Sequence, residues 1–257
     1  MAETIVLTLS YDGTGMAGFA RQPGLDTVQG RIEQALATVL RREVETVGAG
    51  RTDAGVHALG QVMSFAARGD EPDEHVLLRS LNALARPGVV VTGIRRAPAS
   101  FSARHSAVGR EYRYRIVPGP IPPLFLAGKS WWVKGPLDLG AMRRAAEALI
   151  GEHDFKSFCV SESAEGRRTV RRLDIVEIVP ESQLGEHSLV VRVVGNAFLH
   201  SMIRIMVGSL VEVGTGRRNP EWLAEVLAAC DRGGAGQTAP PEGLVLWHVD
   251  YPEECWL

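Results

Sequence analysis

Apolar and polar residues alternate through residues 3–11, ETIVLTLSY, and that spacing predicts a strand. Over 26–42, DTVQGRIEQALATVLRR, the period changes. Val28, Ile32, Ala35, Leu36, Val39 and Leu40 fall on one helical face, with Asp26 or Thr27 as the cap. VETVG at 44–48 and QVMSFAA at 61–67 read as strands on either side of a glycine-rich loop. DEHVLLRSLNALAR at 73–86 predicts a second helix, stopped by Pro87-Gly88, and VVVTGIRRA at 89–97 a closing strand. The first half therefore reads β-α-β-β-α-β, a ferredoxin-like order.

The second half opens on REYRYRIV at 110–117, followed by a proline-rich connector, PGPIPPLF, at 118–125. DLGAMRRAAEALIG at 138–151 is a helix that Asp138 can cap, with Gly151 at its C-terminal end. Residues 169–180 and 187–198 predict two strands, a hairpin around ESQLGE at 181–186. A long apolar helix at 199–214, another at 220–230 and a last strand at 244–251 complete the set. No sequence repeat is visible, yet the order of elements again approximates β-α-β-β-α-β. The expected fold is α+β, with an N-terminal half over 1–105 carrying the glycine loop and a C-terminal half over 106–257. A crevice between two such halves is the natural place for a site.

A chain of 257 residues with 45% hydrophobic content can bury a real core. No run approaches the length of a transmembrane helix, so no membrane partner is expected. The N-terminus enters a strand with no basic segment before it, which argues against a signal peptide. Cys159, Cys230 and Cys255 are scattered and odd in number, and the histidines show no metal-ligand spacing. Neither a disulfide framework nor a metal site is expected, and a cytoplasmic location is the default. The net charge of -2 argues mildly against a nucleic-acid partner. Arginines nevertheless gather: Arg95, Arg96, Arg104, Arg110, Arg113 and Arg115 in one span, Arg167, Arg168, Arg171 and Arg172 in another. Solvated surface with ordinary ion pairs and a basic groove are both open readings.

GAGRTDAG, residues 48–55, has the composition of a phosphate loop but the wrong spacing for one. Asp53 stands where the third glycine of GxGxxG belongs, and a carboxylate there repels a pyrophosphate. Gly50 and Gly55 have the gap of a P-loop, but Val56-His57 replaces Lys-Ser. No GxSxG is present, and His57 and His200 read as structural. Asp53 is then either a turn aspartate bonding its own backbone or a poised carboxylate. Arg51, two residues away, points the same way in an extended segment and could hold it ionised. An ionised, desolvated carboxylate can act as a nucleophile.

GAGRTDAGVHALGQV resembles the signature of the tRNA pseudouridine synthase A family. YDGTGMAGFARQ, TVQGRIEQAL, FSARHSAVGREYRYRI, GEHDFKSF, NAFLHSMIRIMVGSLVEVG and APPEGLVLWHVDYP are similar to further segments of that family, colinear from residue 5 to about 252. The resemblance implies the pseudouridine synthase fold, with mostly antiparallel sheets joined around a central cleft. It implies conversion of uridine to pseudouridine at positions 38, 39 and 40 of the tRNA anticodon stem-loop, without a cofactor.

Residue by residue, the resemblance makes Asp53 the nucleophile, with Arg51 favouring its ionised form. Arg204 matches an arginine that pairs with the nucleophile. Tyr112 matches a tyrosine that stacks on the uracil, and Leu244 an apolar position flanking the flipped base. It implies a homodimer bridged by tRNA, and it gives Arg21, Arg104, Arg110, Arg167 and Arg168 a role on phosphates. Met16, Ala20, Ser201 and Ile205 depart from common family residues, near the RNA entrance rather than the chemistry. Two other functions stay open: an RNA-binding module without catalysis, and a small-molecule hydrolase using Asp53 with His57.

Overall fold

In a computed structural model that describes residues 3–257, the chain divides by its own contacts into two compact units. One comprises Met1–Arg110 with Leu246–Leu257, the other Glu111–Val245. The division falls inside two strands, so the last strand of the chain begins in the second unit and ends in the first.

The first unit begins with β1 (Glu3–Tyr11), whose Ile5, Leu7 and Leu9 are buried. Helix α1 (Val28–Leu40) is capped by the Thr27 side chain, which accepts from the Gly30 amide, so Thr27 rather than Asp26 is the cap. β2 (Val47–Gly48), β3 (His57–Ala66), α2 (Glu74–Leu84) and β4 (Val89–Pro98) follow. The order is the predicted β-α-β-β-α-β. The strands lie as β4-β1-β3, with β2 also on β3, and all three pairings are antiparallel. Strand β3 starts four residues before the predicted 61, because Tyr11 of β1 pairs Ala58. The predicted stripe on α1 buries Val28, Ile32, Ala35 and Leu36, but also Glu33. Glu33 is tolerated there because its carboxylate accepts from the Thr46 amide, the Thr46 hydroxyl and the Gln29 side chain.

The second unit takes most of β5 (Gly109–Gly119), then β6 (Trp131–Lys134), α3 (Leu139–Glu147) and β7 (Gly151–Asp154). The short α4 (Ser161–Ala164), β8 (Val170–Gln183), β9 (Glu186–Gly195), α5 (Met202–Gly214) and α6 (Trp222–Ala229) follow, and β10 (Leu244–Asp250) leads back to the first unit. The strands lie as β5-β9-β8-β7, with β6 added parallel to β5. The predicted hairpin is β8–β9: Gln183 pairs Glu186 across Leu184-Gly185, both at positive φ as a tight hairpin turn needs. Asp138 caps α3 as predicted. The helix proper stops at Glu147. Three i→i−3 bonds then carry the chain to Ile150, and Gly151, at φ 110°, turns it into β7.

The fold is thus mixed α+β with mostly antiparallel strands, as expected. Strands β6 and β7 have no counterpart in the sequence reading. At four residues each they are too short to show a period.

Candidate active site

The glycine loop leaves β2 and is held from both sides. The Ala49 amide donates to the Val62 carbonyl at 2.8 Å, and the Phe19 amide to the Thr52 carbonyl at 3.1 Å. A Cβ on Gly48 would meet the Phe19 ring at 2.4 Å, so the ring lies where only glycine leaves room. Thr52 is buried, and its hydroxyl lies 2.8 Å from the Tyr11 phenol. Asp53, half-buried, opens a turn: its carbonyl oxygen accepts from the Val56 amide at 3.2 Å. Gly55, at φ 79°, takes the left-handed third position. This turn bond is a backbone one. Arg51 is exposed and enters no ion pair among the described residues.

His57 is buried at the start of β3. Its Nδ1 accepts from the Gly13 amide at 3.0 Å when unprotonated, and lies 3.1 Å from Asp12 Oδ1 when protonated. Either way that nitrogen ties the turn after β1 to the end of the glycine loop, which is the structural role read from the sequence.

In the second unit, β5 alternates. Tyr112, Tyr114 and Ile116 are buried, while Glu111, Arg113 and Arg115 lie on the other face. Tyr112 packs edge-on to Phe198, ring centroids 5.1 Å apart. The Tyr114 hydroxyl donates to the Pro240 carbonyl at 2.8 Å, and burial pushes its pKa far up. Arg204 lies in the first turn of α5, a helix otherwise almost wholly buried. Its Nε donates to the Ala239 carbonyl at 2.8 Å, and the Ala239 amide returns a bond to the Arg204 carbonyl at 3.0 Å. Gly208 permits this approach, since a Cβ there would lie 1.8 Å from the Gln237 carbonyl oxygen. Leu244, buried, follows a single 3-10 turn, Pro241–Gly243.

Arg204, Tyr114 and Leu244 are thus brought together by one segment, 239–244. The sequence reading missed Tyr114 and Gly243, whose Cβ would strike the Tyr114 ring at 2.6 Å. The alternation in EYRYRI was the available signal for Tyr114.

The arginines divide. Arg95 stacks over Trp256, Arg96 pairs with Glu3 and Glu74, Arg113 with Glu111 and Arg115 with Glu181. These fit the reading of ordinary surface contacts. Arg21 is largely exposed and reaches Glu33 at 3.3 Å, while Arg104, Arg167 and Arg168 are exposed. Arg110 donates to three backbone carbonyls, those of Ala49, Arg104 and Ala107, and so also braces the glycine loop. Among the described residues, no group of three or more His, Cys, Asp or Glu is placed to hold a metal ion. No helix of the described residues is long and apolar enough to cross a membrane.

A family model described as tRNA pseudouridine synthase matches residues 8–99 and 145–252. A tRNA pseudouridine synthase A of Brevibacillus brevis is 44% identical over 245 residues, covering 95% of this chain and 97% of its own length. One of Burkholderia thailandensis is 43% identical over 250 residues, covering 97% of this chain and 90% of its own length. One of Leptospira biflexa is 39% identical over 252 residues, covering 96% of this chain and 94% of its own length. With its glycine loop, its α+β architecture and likeness along nearly its whole length, the chain belongs to the tRNA pseudouridine synthase family, isomerases that convert uridine in tRNA to pseudouridine.

Proposed function

We propose that this isomerase acts on the uridines at positions 38, 39 and 40 of the anticodon stem-loop, with Asp53 as its nucleophile. The observation that carries the reading is the placement of Asp53. It is half-buried on a turn whose flanks are fixed by backbone bonds from Phe19 and Val56. A nucleophile must be both reachable and held in place, and this one combines the two.

The reaction breaks the C1′–N1 bond of uridine and forms C1′–C5. A proton leaves C5 and one arrives at N1, so the balance needs no oxidant, reductant or energy carrier. Asp53 can attack C1′ as N1 departs, or add to C6 of the base. Tyr112 offers an aromatic face to the uracil, and stacking contributes roughly 1 to 3 kcal/mol per base towards extruding the nucleotide. Arg51, Arg204 and Leu244 keep the roles that the family resemblance implies, as does the homodimer, and the cytoplasmic location stays the default that the scattered cysteines suggest. Arg21, Arg104, Arg167 and Arg168 are exposed enough to meet phosphates. Arg110 combines such a contact with its bonds to the loop.

The hydrolase reading asks His57 to serve Asp53 as a base, whereas its Nδ1 is engaged by Gly13 and Asp12. The test is tritium release from tRNA carrying 5-tritiated uridine. Release by the wild type, lost in Asp53→Ala with tRNA binding retained, is the expected result. Release by Asp53→Ala at the wild-type rate overturns the nucleophile. Undiminished release from a tRNA with no uridine at positions 38, 39 or 40, its other uridines labelled, overturns the site of action.

A further inference from the structure

Gln61 is fully buried on β3, opposite Leu9 of β1. An amide there costs free energy unless its donors and acceptor are matched. They are matched, in part by the glycine loop. Its Nε2 lies 3.1 Å from the Gly50 carbonyl and 3.4 Å from the Tyr11 phenol, and its Oε1 accepts from the Val62 amide at 3.1 Å. Only a nitrogen can serve the Gly50 carbonyl, which fixes the orientation of the amide.

The chain continues beyond the amide. Gln61 donates to the Tyr11 oxygen, and the Tyr11 phenol and the Thr52 hydroxyl share a hydrogen bond of 2.8 Å. Tyr11 remains protonated at neutral pH, its pKa pushed up to about 12 by burial. Gly50 and Thr52 stand on either side of Arg51, and Thr52 adjoins Asp53. Two points of the loop, one carbonyl and one hydroxyl, are therefore tied to a single buried amide.

We infer that Gln61, acting through Tyr11, Gly50 and Thr52, is the positioning residue that sets Asp53 for the isomerisation; this rests on Asp53 as the nucleophile. Around it Leu7, Leu9 and Met63 are buried, and β1 and β3 are already joined by their antiparallel ladder, so the strands do not need this amide to stay together. Apolar packing is not directional, whereas a hydrogen-bonded chain fixes where the loop stands. A displacement of about 1 Å at a reacting group can cost about 100-fold in rate, so the network acts on turnover rather than on RNA affinity.

The test uses Gln61→Met, Tyr11→Phe, Thr52→Val and Thr52→Ser in the full-length enzyme. Single-turnover tritium release, KM for tRNA, tRNA binding by filter retention and thermal melting are read for each. Gln61→Met and Tyr11→Phe are expected to slow the chemical step about 10- to 100-fold with KM and binding unchanged. Thr52→Ser, which keeps the hydroxyl, should restore most of the rate lost in Thr52→Val. A merely structural role predicts lower melting temperatures with an unchanged rate below them. Should Gln61→Met not fold, Tyr11→Phe and the two Thr52 variants decide. Wild-type rates in Tyr11→Phe and Thr52→Val beside an inactive Asp53→Ala overturn this inference and leave the nucleophile standing. An active Asp53→Ala overturns both. A raised KM with an unchanged rate also overturns it, by moving the network from chemistry to binding.

Discussion

Gly13 leaves no room for a side chain against Val56: a Cβ there would lie 2.1 Å from the Val56 carbonyl oxygen. The Gly13 amide meanwhile donates to His57 Nδ1 at 3.0 Å. The turn after β1 and the turn that Asp53 opens are packed backbone to backbone, and Gly13→Ala must push one of them away. Overpacking of this kind costs about 1 to 3 kcal/mol. A lower urea midpoint and slower tritium release are expected together, because Val56 closes the Asp53 turn. A Gly13→Ala enzyme with wild-type stability would mean that the turns yield freely.

Burial also sets an alkaline limit on the first unit. The Tyr11 pKa is raised from 10.0 to about 12, chiefly by desolvation, against hydrogen bonds with Thr52 and Gln61 that lower it. The folded state therefore holds the phenolic proton more tightly than the unfolded chain does. Its contribution is fully present below pH 10.0 and is lost as pH rises towards about 12. One such group changes stability by about 1.4 kcal/mol per pH unit inside that window. Urea unfolding followed through the window should show the loss, and Tyr11→Phe should flatten it. Tyr114 and Tyr251, also raised by burial, add to the slope of the whole chain. An unchanged slope in Tyr11→Phe would remove Tyr11 from the account.

The proline-rich connector is fastened by one carboxylate. Glu186 accepts from the amides of Leu124, Phe125 and Leu126 at 2.6, 3.1 and 2.8 Å. Burial opposes its ionisation, yet the three amides hold its pKa below the usual carboxylate range. Leu124 and Phe125 are themselves exposed. Glu186→Ala should expose this segment to chymotrypsin, with faster cleavage after Leu124 and Phe125 and little change in melting temperature. Equal cleavage rates in the two proteins would show that the prolines alone hold the connector.

How far the sequence reveals all this depends on the range of the interaction. Helix α1 is legible because Ile32, Ala35 and Leu36 repeat at helical spacing and Thr27 precedes them as a cap. The hairpin at Leu184-Gly185 is legible because one glycine marks a turn between two alternating runs. Strand β6 is not, since Trp131 to Lys134 gain their strand character from β5, across the connector. Nor is the return of Leu246–Leu257 to the first unit, a choice among distant strands that no local period encodes. At the site, Asp53 stands out chemically, as a carboxylate where a phosphate loop admits none. Gln61 does not, because a glutamine in an alternating strand reads as an ordinary solvent-facing residue until its burial is known.

Arg167 and Arg168, proposed to meet phosphates, test whether positioning of RNA can be separated from chemistry on it. Both are exposed at the entry to β8. Beneath them Arg171 donates to the carbonyls of Arg168 and Val170. Burial, then the charge of Arg168, lowers the Arg171 pKa, so cationic charge is concentrated at this corner. Phosphates would relieve that repulsion. Each phosphate contact removed should reduce the slope of log affinity against log salt by about 0.7 to 0.9. Arg167→Ala and Arg168→Ala are therefore expected to weaken tRNA binding at low salt, flatten its salt dependence and leave the single-turnover rate at saturating tRNA unchanged. Filter binding across a salt series, beside tritium release, measures both. A lower saturated rate with an unaltered salt slope would move these arginines from the RNA backbone to the reaction itself.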